Sequence, residues 1–483
     1  MNYSLIFKLI GNVLRIEALF MLFPLVVSLI AGGGDHPAFL WSILILAVVG
    51  TLLTILKPKD KNFRTRDAFV VAGLSWILFS IFGALPFYFS GYFKGFIDCV
   101  FESVSGFTTT GSTILTNIEI LPKGILFWRS FTHWIGGMGV LMFVMAVIPS
   151  INASSVNILR AESTGPSPDK IVPKIRETAR IMYLIYFVLT VVLIILLKIA
   201  GLPIFDSVIN AFSTAGTGGF SNMNTSIAAY NNVAAEIIIT IFMFLFGVNF
   251  SLYFFILGGK FKRFFKDIEL RMYFLIVTAS ILIITVNISG IYGGIPEALR
   301  HSSFQVSSII STTGFSTTDF NLWPGLSQFI LVFLMVTGCS AGSTGGGIKI
   351  IRLVILFKAA KIELVKIFHP ESVKSVSVNG KKVNNDIVSK TTSFFFIYFA
   401  VFAASVMLVS IEGKDIVTNI TAVISSMSNI GPGLGVVGPA GSFASFTPFS
   451  KVVLSFCMIA GRLEFFPLLV LFTPSVWKKR LIK

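Results

Sequence analysis

Long apolar runs, separated by short polar linkers, fill most of the chain. Two of them open it, at residues 17–31 and 38–56, joined by a Gly-Gly-Gly-Asp-His-Pro turn at 32–37. Glu17 interrupts the first, and a second run follows at once, so the pair reads as a helical hairpin rather than a signal peptide. A three-part pattern then occurs four times. Its first part is a long apolar run, at about 68–90, 179–200, 271–292 and 391–411. Twenty helical residues at about 1.5 Å each cross a hydrocarbon layer of about 30 Å. The second part is a short apolar segment, at about 97–107, 205–215, 297–310 and 415–429, too short to cross and expected to dip in and return. The third is another long run, at about 125–149, 233–257, 327–357 and 450–474.

The pattern predicts an all-α polytopic membrane protein of ten spans. A two-helix N-terminal hairpin precedes four M1–pore loop–M2 repeats with pseudo-fourfold symmetry about a central pore. The expected units are 1–66 (hairpin), 67–160, 161–268, 269–358, a basic linker at 359–390, and 391–483. Composition agrees: 12% of the 483 residues are charged, about half the share of a soluble domain.

Each short segment runs into a stretch of Gly and Thr. These are Thr109-Thr110-Gly111-Ser112, Thr217-Gly218-Gly219-Phe220, Thr312-Thr313-Gly314-Phe315 and Gly431-Pro432-Gly433. Aligned on Gly111, Gly219, Gly314 and Gly433, they lie 95 to 119 residues apart, and a step of 28 residues lands on Gly139, Gly247, Gly342 and Gly461. This is the mark of an internal repeat. Irregular backbone is tolerated at membrane depth where it lines a polar path. Gly reaches positive φ and lets carbonyls turn to one side. A ring of carbonyls can replace the water shell of a monovalent cation, and the C-terminal ends of the short helices favour positive charge there. The stretches hold no carboxylate, which a divalent ion would recruit, and no Lys or Arg for an anion.

Glu102, Asn210 and Gln305 fall nine residues before the first three aligned glycines. They serve either structural hydrogen bonding or tuning of the ion path. Asp98, Asp206 and Asp415 stand near the starts of short helices, as caps or first-turn acids, or as attractors of cations at the mouth. In the third repeat the last run is broken by five glycines in ten residues: Gly338, Gly342, Gly345, Gly346 and Gly347. At about 1 kcal/mol each they should unwind the helix into a loop, either a movable plug or a static kink. No phosphate-loop spacing is present despite Lys349. Arg462, inside an apolar run, needs a partner. Loop carbonyls or Glu464 are the expected acceptors, which would make Arg462 a latch on the loop.

The net charge of +16 is not a nucleic-acid signal. Of 38 Lys and Arg, 30 fall in the termini and four linkers, which places those segments and both termini in the cytoplasm. Residues 358–390 are Lys-rich with Asn379-Gly380 as a turn. They suit a surface helix followed by a hairpin, as a solvated loop or a docking surface. Three cysteines and four scattered histidines form no disulfide or metal spacing. No nucleophile–base set suggests an enzyme.

The four stretches, the Gly338–Gly347 loop and Arg462 together resemble the TrkH/TrkG potassium-uptake proteins of bacteria, within the Trk, Ktr and HKT superfamily. The extra N-terminal hairpin is similar to TrkH rather than KtrB. The resemblance implies K⁺ permeation through one pore per subunit, a homodimer in the bacterial inner membrane, and TrkA-type cytoplasmic subunits that carry the controlling nucleotide. No organic cofactor is expected on this chain. In plant relatives a Ser at the first filter position goes with Na⁺ transport, so Gly111 favours K⁺. A K⁺/H⁺ or Na⁺-coupled symporter working by alternating access is the alternative mechanism.

Overall fold

The computed structural model describes residues 1–55, 65–139, 175–372 and 374–474. The end of the first repeat's last run, beyond residue 139, lies outside them. The hairpin is α1 (Tyr3–Phe20), α2 (Leu22–Ala31) and α3 (His36–Ile55). Helix therefore begins well before residue 17, and α1 and α2 together form one candidate span of 29 residues.

The four first spans form as expected. They are α4 (Thr65–Gly83) with α5 (Leu85–Ser90), then α8 (Ile175–Ile199), α13 (Ile268–Ile288) and α17 (Asn385–Ser410). Their outward faces stay apolar and exposed, as at Leu184, Phe187, Ile195 and Ile199 of α8. An unbroken apolar face of this length fits lipid. The short segments are α6 (Phe96–Phe107), α9 (Ile204–Ala215), α14 (Ile295–Ile310) and α18 (Ile416–Ser428). These are buried; from Phe101 to Phe107 every residue of α6 is enclosed.

The last runs behave differently. They appear as α7 (Lys123–Gly137), then α10 (Val233–Phe246) with α11 (Phe250–Leu257), followed by the short α12 (Phe261–Lys266), then α15 (Gly325–Thr337) with α16 (Ile350–Phe368), and α19 (Pro448–Arg462) with α20 (Phe466–Leu471). The expected break in the third repeat is present, at 338–349. Two further breaks were not expected. α10 and α11 meet at 95°, and α19 stops before Glu464 and Phe465, both at positive φ. Among the described residues, six helices are long and apolar enough to cross a membrane, or seven if the bent pair counts as one. The second, third and fourth inner runs are each interrupted, and the first continues beyond the described residues.

The short helices and the inner helices pack in one closed circuit. α6 packs on α7, α7 on α9, α9 on α10, α10 on α14, α14 on α15, α15 on α18, α18 on α19, and α19 back on α6. Each short helix is thus wedged between the inner helix that follows it and the one before. Outside the circuit, α16 runs past the expected linker boundary to Phe368. A two-stranded hairpin follows, β1 (Ser377–Val378) with β2 (Lys381–Lys382). Asn379 and Gly380 turn it, both at positive φ, as the Asn-Gly pair favours.

Candidate functional site: four loops on one axis

The four Gly-Thr stretches share one backbone course. Thr109, Thr217, Thr312 and Asn429 are left-handed, with φ of 57°, 54°, 61° and 56°. Two residues on, Gly111, Gly219, Gly314 and Gly431 have φ of 81°, 77°, 80° and 101°. The N–H between them, on Thr110, Gly218, Thr313 and Ile430, donates to the carbonyl of Ser105, Ser213, Ser308 and Ser425. The fourth stretch is therefore in step at Gly431, two residues before the expected Gly433. Gly433 has left the axis. Its N–H donates to the Val437 carbonyl at 2.7 Å, and a Cβ there would meet Thr421. With Gly431 as the reference, all four stretches have Ser six residues back, a signal that the alignment on Gly433 conceals.

The loops converge. A Cβ on Gly111 would lie 1.9 Å from the Gly218 carbonyl oxygen, and one on Gly219 would lie 2.0 Å from that of Thr313. A Cβ on Gly314 would lie 1.9 Å from the Ile430 oxygen, and one on Gly431 would lie 2.8 Å from that of Thr110. The order 1, 2, 3, 4 and back to 1 closes a ring whose members touch carbonyl to glycine. A cavity of about 470 Å³ opens on this ring and is lined by all four glycines and Pro432. Among the described residues no Asp, Glu or Lys lines it; Arg129 does.

Arg129 was not singled out from the sequence. It is 1% exposed. Its guanidinium pairs with Glu102 at 2.8 Å and lies 4.1 Å from the Phe220 ring centre. Glu102 also accepts from the Thr113 hydroxyl at 2.8 Å and from the Ile114 N–H at 3.1 Å. It therefore ties the strand leaving the first stretch to α6 and α7, which is a structural role. Removing one partner of a buried pair costs about 3–5 kcal/mol. Glu102→Ala should lower the thermal unfolding midpoint in detergent far more than Asp98→Ala. Asp98 pairs with Lys451 at 2.7 Å and is 17% exposed. Equal shifts would refute this account of Glu102. Asn210 donates to the Asp206 carbonyl and to Tyr230. Asp206 accepts from Asn222, and Asp415 caps α18 through the Thr418 N–H.

The glycine loop, 338–349, crosses beneath the ring. Gly338, Gly342 and Gly347 take φ of 66°, 69° and 73°. The Gly346 N–H donates to Thr312 Oγ1 at 2.8 Å. A Cβ on Gly346 would lie 2.2 Å from the Ser428 carbonyl oxygen, and one on Gly345 2.7 Å from that of Ser311. The unexpected bend between α10 and α11 has its cause here. The Ser340 N–H donates to the Gly247 carbonyl and the Phe250 N–H to the Gly342 carbonyl. The loop thereby occupies backbone groups that an unbroken helix would have used. Lys349, 1% exposed, folds back on the Gly345 and Gly346 carbonyls.

Arg462 reaches the loop. Its Nη1 donates to the Thr344 carbonyl at 2.7 Å and to Thr109 Oγ1 at 3.2 Å. Its Nη2 donates to the Gly137 carbonyl at 2.7 Å and to that of Gly136. Of the two acceptors expected for it, the loop carbonyl is the one used. Glu464 pairs with Arg352 instead, whose guanidinium lies 3.9 Å from the Phe394 ring centre.

A family model described as "TrkH: Cation transport protein" matches residues 35–479. The chain belongs to the TrkH family. It is 36% identical to the Trk system potassium uptake protein TrkH of Salmonella typhimurium, over 99% of this chain and 100% of that one. It is 32% identical to the Trk system potassium uptake protein TrkG of Escherichia coli, over 97% of each. The crystal structure of the potassium transporter TrkH from Vibrio parahaemolyticus superposes with a TM-score of 0.89 at 31% identity, covering 99% of this chain and 100% of that one. A TrkH-family chain is a membrane transport protein. The converging loops, the crossing segment and Arg462 lie in the matched part of this one.

Proposed function

We propose that this chain is the K⁺-translocating subunit of a Trk-type uptake system, with the four stretches as its selectivity filter. The closed ring of carbonyls and glycines carries the reading. Thr109, Thr110, Gly111, Thr217, Gly218, Gly219, Thr312, Thr313, Gly314, Gly431 and Pro432 form the filter, Gly433 only its buttress. Pro432 lacks an N–H but keeps its carbonyl, so it does not interrupt coordination. The ring replaces the ion's water with carbonyl oxygens, and four helix ends point partial negative charge at it. Potassium is the cargo, and no organic cofactor takes part. Ten spans, four pore repeats and cytoplasmic termini complete the architecture in a bacterial inner membrane. The subunit works as a homodimer with TrkA-type regulatory subunits. The loop from Gly338 to Gly347 is the gate, and Arg462 holds it closed.

The test is flux of K⁺, Rb⁺, Na⁺ and Li⁺ into liposomes that contain the purified chain. K⁺ and Rb⁺ should pass at least about tenfold faster than Na⁺ and Li⁺, the difference that about 1.4 kcal/mol in the filter gives. Equal rates for all four ions would remove the filter assignment. Strict dependence of K⁺ flux on a proton gradient would replace the pore with a symporter.

A further inference from the structure

The glycine loop, which Arg462 holds in its middle at Thr344, has a second holder at its ends. Glu269 stands in the first turn of α13 and is 5% exposed. Its Oε1 accepts the N–H of Ala341 at 2.7 Å and the N–H of Ile351 at 3.1 Å. Ala341 lies near the start of the loop. Ile351 lies in the first turn of α16, immediately after the loop's end. One carboxylate oxygen therefore joins the two ends of the segment, alongside the backbone bonds from the Ile348 N–H to the Val336 carbonyl and from the Ile350 N–H to the Cys339 carbonyl, both at 3.1 Å. Carboxylate-to-N–H bonds at a helix start are among the stronger backbone contacts.

The same turn of α13 meets the cytoplasmic hairpin. Asn379, at the hairpin tip, donates from Nδ2 to Asp267 Oδ2 at 2.7 Å. Its Oδ1 accepts the Ile268 N–H at 2.9 Å. Asp267 is the N-cap of α13 and also accepts the Leu270 N–H. Lys358 of α16 donates to the Ser377 carbonyl at 2.7 Å, so the hairpin is fastened on both sides of the loop's exit. From Asn379 to the carboxylate that holds the loop the path is two residues of helix.

We propose that Glu269 is a positioning residue that clasps the ends of the glycine loop, and that the hairpin tip at Asn379 sets the clasp through the first turn of α13. A force on the hairpin, whatever applies it, tilts or frees that turn and loosens both ends of the loop together. The consequence for transport rests on the reading of the loop as a gate; the clasp itself does not.

Cys339, buried in the loop, serves as the probe. In the full-length chain with Cys99 and Cys457 replaced by Ala, the rate at which a small water-soluble methanethiosulfonate modifies Cys339 is measured in liposomes, alongside K⁺ flux. Glu269→Ala and the volume-conserving Glu269→Leu both lack an acceptor and should raise the modification rate by about tenfold or more. Glu269→Gln restores an oxygen and should stay within about threefold of the parent. Asn379→Ala should raise the rate less than Glu269→Ala, and the double variant should be no faster than Glu269→Ala alone. An unchanged rate in the Leu variant, or a Gln variant as fast as Leu, overturns the clasp. Additive rates in the double variant overturn the link to the hairpin. Faster modification with unchanged K⁺ flux would keep the clasp and remove the loop from gating.

Discussion

Gly111→Ser is expected to abolish most discrimination between K⁺ and Na⁺. The new Cβ would stand 1.9 Å from the Gly218 carbonyl oxygen, far inside van der Waals contact. Positive φ adds roughly 1–2 kcal/mol for a residue with a Cβ. The Gly218 carbonyl is backbone in a buried stretch and cannot rotate away alone, so it must leave its place in the ring. One of the four carbonyls that close the ring is then lost or misplaced. The expected result is a fall of about tenfold or more in the K⁺/Na⁺ flux ratio, with slower K⁺ flux. Gly219→Ala and Gly314→Ala should behave alike, with clashes at 2.0 and 1.9 Å, whereas Gly431→Ala meets its neighbour only at 2.8 Å and should keep more selectivity. A Gly431 variant as damaged as the other three would contradict the ring geometry.

Arg462→Ala is expected to release the loop. The guanidinium spans from Gly136, Gly137 and Thr109 on one side to Thr344 on the other. Among the described residues, the Thr344 bond is the one that joins it to the loop proposed as the gate. A hydrogen bond from a charged group is worth about 1.5–3 kcal/mol, so its loss shifts the balance between closed and open by about 10- to 150-fold. Single-channel recording or K⁺ flux without any partner subunit should show this as raised basal opening. Arg462→Lys is a point charge that cannot bridge both sides and should fall in between. Unchanged basal flux in Arg462→Ala would deny the latch.

The short helices were legible almost to the residue, as at Phe96–Phe107 against an expected 97–107 and Ile204–Ala215 against 205–215. Local chemistry explains this: an apolar run meets Gly and Thr, which end it. The glycine loop at 338–349 was legible for the same reason. The two other breaks were not. Gly247 and the N-cap Asn249 permit a break, but the 95° bend is set by hydrogen bonds from a distant loop. Glu464 and Phe465 adopt positive φ although neither residue type favours it. The fourth stretch was misplaced by two residues because Gly431-Pro432-Gly433 offers two glycines, and the Ser425 contact, the positive φ at Asn429 and Gly431 and the approach of Gly431 to Thr110 decide between them. Arg129 and Glu269 stayed hidden because their partners, Glu102 and the backbone of the loop, are adjacent in space rather than in sequence.

The circuit of contacts carries a consequence for synthesis. The ring closes only when Gly431 meets Thr110, and Arg462, which bonds the glycine loop at Thr344, comes later still in the chain. A chain halted at any earlier point holds at most three quarters of the hole and has no complete passage. On the reading of the ring as a filter and the loop as its gate, a half-made product in the membrane is unable to dissipate ion gradients, and the finished one is born with its stopper in place.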